Sequence, residues 1–99
     1  MTGKIKYEFI AILWQQPSTG GWHFVSLPET TSTEIRLLLK SSEEGWGRLK
    51  ATAKIGNTKW ETAIWFDSKR NTYLLPIKAT IRSKENILRD AEIAVIIWV

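Results

Sequence analysis

The 99-residue sequence has no cysteine, one methionine, three prolines and a single histidine, His23. Without cysteine there can be no disulfide scaffold, thiolate zinc site, iron–sulfur cluster or thiol nucleophile. With one histidine, a Ser–His–Asp arrangement would have to run through His23. His23 stands between Trp22 and Phe24, where a packed or surface role is the ordinary one. Long hydrophobic runs are also missing: the longest are Phe9–Trp14 and Ile93–Val99. A membrane span needs about 20 apolar residues, and a signal peptide needs about 7–15 behind a basic start. Glu8 precedes the first run and no cleavage pattern follows it, so both runs read as buried strands. The glycines form no phosphate-cradling loop, and Gly45-Trp46-Gly47 marks only a turn. Glu43 and Glu44 are adjacent and read as solvated charge, and nothing in the sequence sets the separation of Glu61 and Asp67. The expectation is a protein that is not an enzyme, with no cofactor, metal or membrane segment, in the cytoplasm.

What is present is ordinary globular material with two excesses. Hydrophobic residues make up 43% and charged residues 24%, which excludes a disordered tail and suits a single domain over residues 1–99. The excesses are six tryptophans and fourteen Lys+Arg against ten Asp+Glu, a net charge of +4.

Period-2 patterns dominate. Ile5, Tyr7, Phe9, Ala11 and Leu13 share one strand face, while Ile10, Ile12 and Trp14 make the other apolar too, which predicts a strand covered on both sides. Gln15–Gly21 is a loop, and Trp22–Leu27 is a strand stopped by Pro28. Thr31 to Glu34 reads as a capping box, followed by Ile35, Leu38 and Leu39 at helical spacing, so a helix is predicted near residues 31–41. Leu49, Ala51, Ala53 and Ile55 alternate with Arg48, Lys50, Thr52 and Lys54, giving a strand with one buried and one basic face. Gly56-Asn57 predicts a two-residue hairpin of type I′ or II′ into a strand over Trp60–Phe66. Asp67–Asn71 is a turn, Tyr73–Pro76 a strand, residues 83–88 a short helix, and Glu92–Val99 a closing buried strand.

The two halves carry the same order of parts, with Leu27-Pro28 and Leu75-Pro76 at equivalent places and Trp14 matching Trp65. That order admits an internal repeat as well as a chance likeness of strand-like text. If it is a repeat, two strand–loop–strand–helix–strand units share one closed barrel that hides its edges.

Gly20–Glu29 (GGWHFVSLPE), the Gly45–Gly47 step and Tyr73–Arg82 (YLLPIKATIR) together resemble the bacterial domain of unknown function 1905 family, over essentially the whole chain. The resemblance implies an all-β (mainly β) fold, a small closed double-split β-barrel from two similar halves. It also implies kinship with swapped-hairpin barrels, among them DNA-binding transition-state regulators and antitoxins. Relatives sometimes precede a second domain, of the type named for bacteriocin protection and association with an outer-membrane porin; with Val99 as the last residue, that domain is expected to be absent. One departure stands out: Leu88–Ala91 carries Asp90 where those barrels have a turn glycine. Asp tolerates the left-handed region better than most residues, so the turn is expected to survive. The departure weakens any carry-over of DNA binding.

Two partner classes fit the residues. Nucleic acid suits the positive charge, with Arg48, Lys50, Lys54 and Lys59 on the central hairpin and Lys69, Arg70, Lys78, Arg82 and Lys84 in the second half. A small anionic ligand or peptide suits a barrel mouth lined by loop tryptophans Trp22, Trp46 and Trp65, with Lys78 or Arg82 meeting a carboxylate or phosphate. Trp60 and Trp65 read first as core. The expected function is a non-catalytic binding or accessory module, with nucleic-acid binding and small-molecule or peptide binding as its alternatives. The candidate contacts are Trp22, His23, Trp46, Lys69, Arg70, Lys78 and Arg82, on a monomer or weak homodimer.

Overall fold

A computed structural model describes residues 5–17, 21–45 and 47–99. Its strands are β1 (Lys6–Ile12), β2 (Trp14–Gln15), β3 (His23–Ser26), β4 (Arg48–Ile55), β5 (Thr58–Asp67), β6 (Thr72–Pro76) and β7 (Glu92–Trp98). Helix α1 (Glu29–Leu39), extended by a 3-10 turn over Lys40–Ser42, lies between β3 and β4, and α2 (Ala79–Lys84) between β6 and β7. The strands form one antiparallel sheet in the order β1-β7-β4-β5-β6-β3-β2, curled into a half-barrel. The mainly-β expectation with two helices therefore holds.

The strict alternation of β4 does what alternation should. Leu49, Ala51, Ala53 and Ile55 are buried, and Ile64, Tyr73, Leu75, Val95 and Ile97 meet them across the concave side. Ile55 lies opposite Thr58, so Gly56 and Asn57 alone make the turn. Of the two only Gly56 has positive φ, +57°, which is type II′. β1 and β2 are separated only by buried Leu13. Its N–H donates to the Ala91 carbonyl (3.0 Å) and its carbonyl accepts from the Asp90 N–H (3.0 Å). There the chain leaves β7 and joins β3, so the two strands at opposite ends of the sheet are consecutive in sequence. Asp90 has φ +68°, the left-handed conformation expected for it.

Exchange of the two halves relates β1·β7 to β5·β4 and β2·β3 to β5·β6, while β4·β7 and β3·β6 join the halves to each other. The equivalence of the Leu-Pro pairs, however, needs correcting. Trp14 faces Phe24 and Trp65 faces Leu74, so matching the tryptophans matches Pro28 with Lys78, the N-cap residues of the two helices. Leu75-Pro76 lies two residues ahead of the place that Leu27-Pro28 occupies.

Five further expectations are corrected. α1 starts at Glu29 with Pro28 as its N-cap, which has no side-chain acceptor, so Thr31 lies inside the first turn and caps nothing; the Glu34 carboxylate accepts the Tyr7 hydroxyl instead, and the Ser32 hydroxyl accepts the Tyr73 N–H (3.0 Å). Ile35 is buried and Leu39 packs on the core, but Leu38 is 57% exposed. α2 lies over Ala79–Lys84, ahead of residues 83–88. Buried Ile81 anchors it and left-handed Asn86 ends it. Glu43 is not simply solvated: it accepts from the buried Tyr73 hydroxyl and lies 3.7 Å from Arg36, whose guanidinium covers the Phe66 ring. Burial, then Glu43, holds the Tyr73 hydroxyl protonated well above its usual range. Finally, β1 is covered on one side only, with Ile10 67% and Ile12 55% exposed on its outer face.

Candidate functional site

The junction of β3, β6 and α2 gathers four of the seven candidate residues. β3 and β6 are antiparallel, with Phe24 opposite Pro76, and the Ile77 N–H donates to the His23 carbonyl (2.9 Å). This brings Trp22 and His23 beside Ile77 and Lys78. The chain then enters α2, and one turn after Lys78 the Arg82 side chain folds back. Its Nε donates to the Ile77 carbonyl (3.3 Å) and its Nη1 lies 3.4 Å from His23 Nε2. Trp22, His23, Lys78 and Arg82, with Pro76 and Ile77, enclose a pocket of about 250 Å³.

Each wall has a structural reason. The Trp22 carbonyl accepts the Gln16 N–H (2.8 Å), and left-handed Gly21 (φ +57°) lets the loop turn there. Phe24 stacks on one side of the indole at 6.2 Å and is itself braced by Trp14 at 5.2 Å. Trp22 is nevertheless 60% exposed. A guanidinium can only donate, so a hydrogen bond here takes Nε2 of a neutral His23 ring as its acceptor. Burial foremost, then the charge of Arg82, lowers the His23 pKa, against a smaller opposing effect of the Gly21 backbone. No carboxylate pairs with Lys78 or Arg82 among the described residues. Two cations thus face one small pocket without a counter-charge.

A broader shelf of about 450 Å³ adjoins the pocket and shares Trp22 and Lys78 with it. Its other walls include Arg48, Lys50, Glu61 and Trp65. Trp65 corrects the core reading: it sits 38% exposed on the outer face, with Arg48 5.7 Å from its ring, while Trp60 packs on the core. Parity along β5 carries this signal, since Ile64 takes the inner face and its neighbour must take the outer.

Two of the remaining candidates, Lys69 and Arg70, do not join the pocket. Both lie on the β5–β6 turn, where Arg70 pairs with Asp67 (2.6 Å) and covers Trp14 at 4.6 Å. Burial alone would raise the Asp67 pKa. The hydrogen bonds from Arg70 and from the turn N–H groups outweigh it and lower that pKa overall. Lys59 covers Trp98 at 4.7 Å, and Lys54 borders a different groove. Trp46 lies outside the described residues.

A family model described as Domain of unknown function (DUF1905) matches residues 9–97. The chain belongs to that family. The DUF1905 span runs from β1 into β7, so the pocket and the shelf both fall inside it. No curated protein matches the sequence. No helix among the described residues is long and apolar enough to cross a membrane.

Proposed function

We propose that this DUF1905 chain is a non-catalytic binding module whose ligand carries an anionic group beside a flat ring. The reading rests on one observation: Lys78 and Arg82 converge without a carboxylate partner beside the exposed indole of Trp22. Arg82 is already aimed, since its Nε is held by the Ile77 carbonyl, so little ordering entropy opposes binding. A volume near 250 Å³ suits a small ligand or the end of a larger one. The direct run from β1 through Leu13 to β2 supports a closed double-split barrel as the frame, and the cysteine-free composition supports a cytoplasmic setting.

Phenyl phosphate is the probe, with inorganic phosphate and phenol as controls for each half of the ligand. Phenyl phosphate should quench tryptophan emission and bind more tightly than either control, and Trp22→Phe should remove most of the signal. Equal weak responses to all three compounds would refute the reading.

A second reading, single-stranded nucleic acid, is favoured by exposed Trp65 on the shelf with Lys50 and Lys78. Bases would stack on Trp22 and Trp65 while the cations meet phosphates. Here binding of a labelled oligonucleotide must fall steeply with salt and weaken in Trp65→Ala. No binding at low salt eliminates it.

A further inference from the structure

The outer face of β1 and β7 carries an apolar patch, edged by Lys6, Glu8 and Glu92, that no other described residue covers. Ile10 and Ile12 stand exposed on β1, with Ala94 exposed and Ile96 half-buried beside them on β7. A groove of about 630 Å³ runs there, lined by Glu8, Ile10, Lys54, Ala94 and Ile96 among others. Isoleucines on the outer face of strands whose inner face is already apolar are the pattern of strands buried on both sides. Among the described residues only the inner side is buried.

The register shows what fits the other side. Glu8 faces Ile96 across the β1·β7 ladder, and Lys54 faces the same Ile96 across β4·β7. One row across the sheet therefore reads acid, apolar, base. We propose that this face is a homodimer interface, in which a second copy packs face to face about a two-fold axis running along β7. Rotation about that axis exchanges the flanks of the row. Glu8 of each copy meets Lys54 of the other, while Ile96 meets Ile96 at the centre and Ile10 fills the groove from the side. Facing sheets lie about 10 Å apart, a gap that isoleucine side chains fill from both sides. A partner with a rim of one sign would leave either Glu8 or Lys54 facing like charge, whereas the same surface turned on itself satisfies both. Among the described residues of one copy the Glu8 carboxylate pairs with the exposed Lys6, at 3.5 Å, a weak solvent-screened contact that can give way to Lys54. The face lies on strands other than those of the Trp22–Arg82 pocket, so dimerisation and ligand binding stand or fall separately.

Sedimentation velocity over a range of protein concentrations tests the proposal. The unmodified chain should pass from monomer to dimer within the micromolar range. Ile10→Lys and Ala94→Arg, both at exposed positions and both checked for native near-ultraviolet circular dichroism, should each hold it monomeric. Glu8→Lys should weaken the dimer about tenfold, and adding Lys54→Glu should restore most of that loss. A chain monomeric at every concentration overturns the proposal. So does a dimer indifferent to Ile10→Lys and Ala94→Arg, or a double variant no tighter than Glu8→Lys alone.

Discussion

Arg82 is the residue on which the site turns. Its guanidinium donates to a backbone carbonyl and approaches His23, so it is positioned before any ligand arrives. His23 supports it by staying neutral: a charged ring would repel the guanidinium, and burial already disfavours the proton. Ser32 shows the same economy in the core. It lies between the two residues read as a helix cap, and its fully buried hydroxyl accepts the backbone N–H of Tyr73 and so joins α1 to β6. Replacing it by alanine leaves that N–H without an acceptor in a dry place. Ser32→Ala should lower unfolding free energy by about 1–3 kcal/mol, read from the urea midpoint at unchanged m. A loss below a few tenths of a kcal/mol would show that water replaces the hydroxyl there.

At the scale of elements, single contacts tie the helices to the sheet. The Glu85 carboxylate, just past α2, accepts from the Thr58 hydroxyl (2.6 Å) and lies against the β4–β5 turn. A Cβ at Gly56 would come within 1.9 Å of Glu85 Oε1, and φ there is +57°. Gly56→Ala therefore meets backbone strain and displaces Glu85, and should destabilise by roughly 1–3 kcal/mol in thermal unfolding. Adding Glu85→Ala should recover the steric part alone. At the other helix the Tyr7 hydroxyl donates to Glu34, and burial first, then that bond, pushes its pKa up to about 12. A folded-state pKa above the unfolded value of about 10 means the contribution is complete below pH 10 and is lost as pH rises towards 12. The alkaline limb of the stability curve should flatten in Tyr7→Phe; an unchanged limb contradicts the assignment. These elements were unequally legible. β4, its turn and β5 follow from alternation and one glycine. α2 begins at Lys78 with no capping side chain, so its start leaves no local mark. Ile10 and Ile12 on the outer face of β1 read as part of a buried strand, and no described residue covers them.

Across the whole molecule, β3 from the first half of the chain pairs with β6 from the second, and the pocket forms at that seam. Trp22 and His23 come from the first half, Lys78 and Arg82 from the second. All four are visible in the sequence as loop aromatics and a basic stretch. Their meeting is not, because it depends on the antiparallel register that brings Ile77 beside His23 across more than fifty residues of chain. Lys69 and Arg70 look equally suitable in the sequence, but Asp67 and Trp14 already occupy Arg70 in the fold. The positive charge therefore includes cations with structural partners and a smaller set, Lys50, Lys78 and Arg82, that line open pockets and form no ion pair among the described residues. The account stands or falls on whether that set receives an anion. Isothermal titration of phenyl phosphate into the native chain and into Arg82→Ala, at the same pH and salt, measures this directly. The account predicts saturable one-site binding to the native chain that weakens at least about tenfold in the variant, the equivalent of one charged hydrogen bond. Equal affinity in the two proteins, or no heat in either, would contradict it.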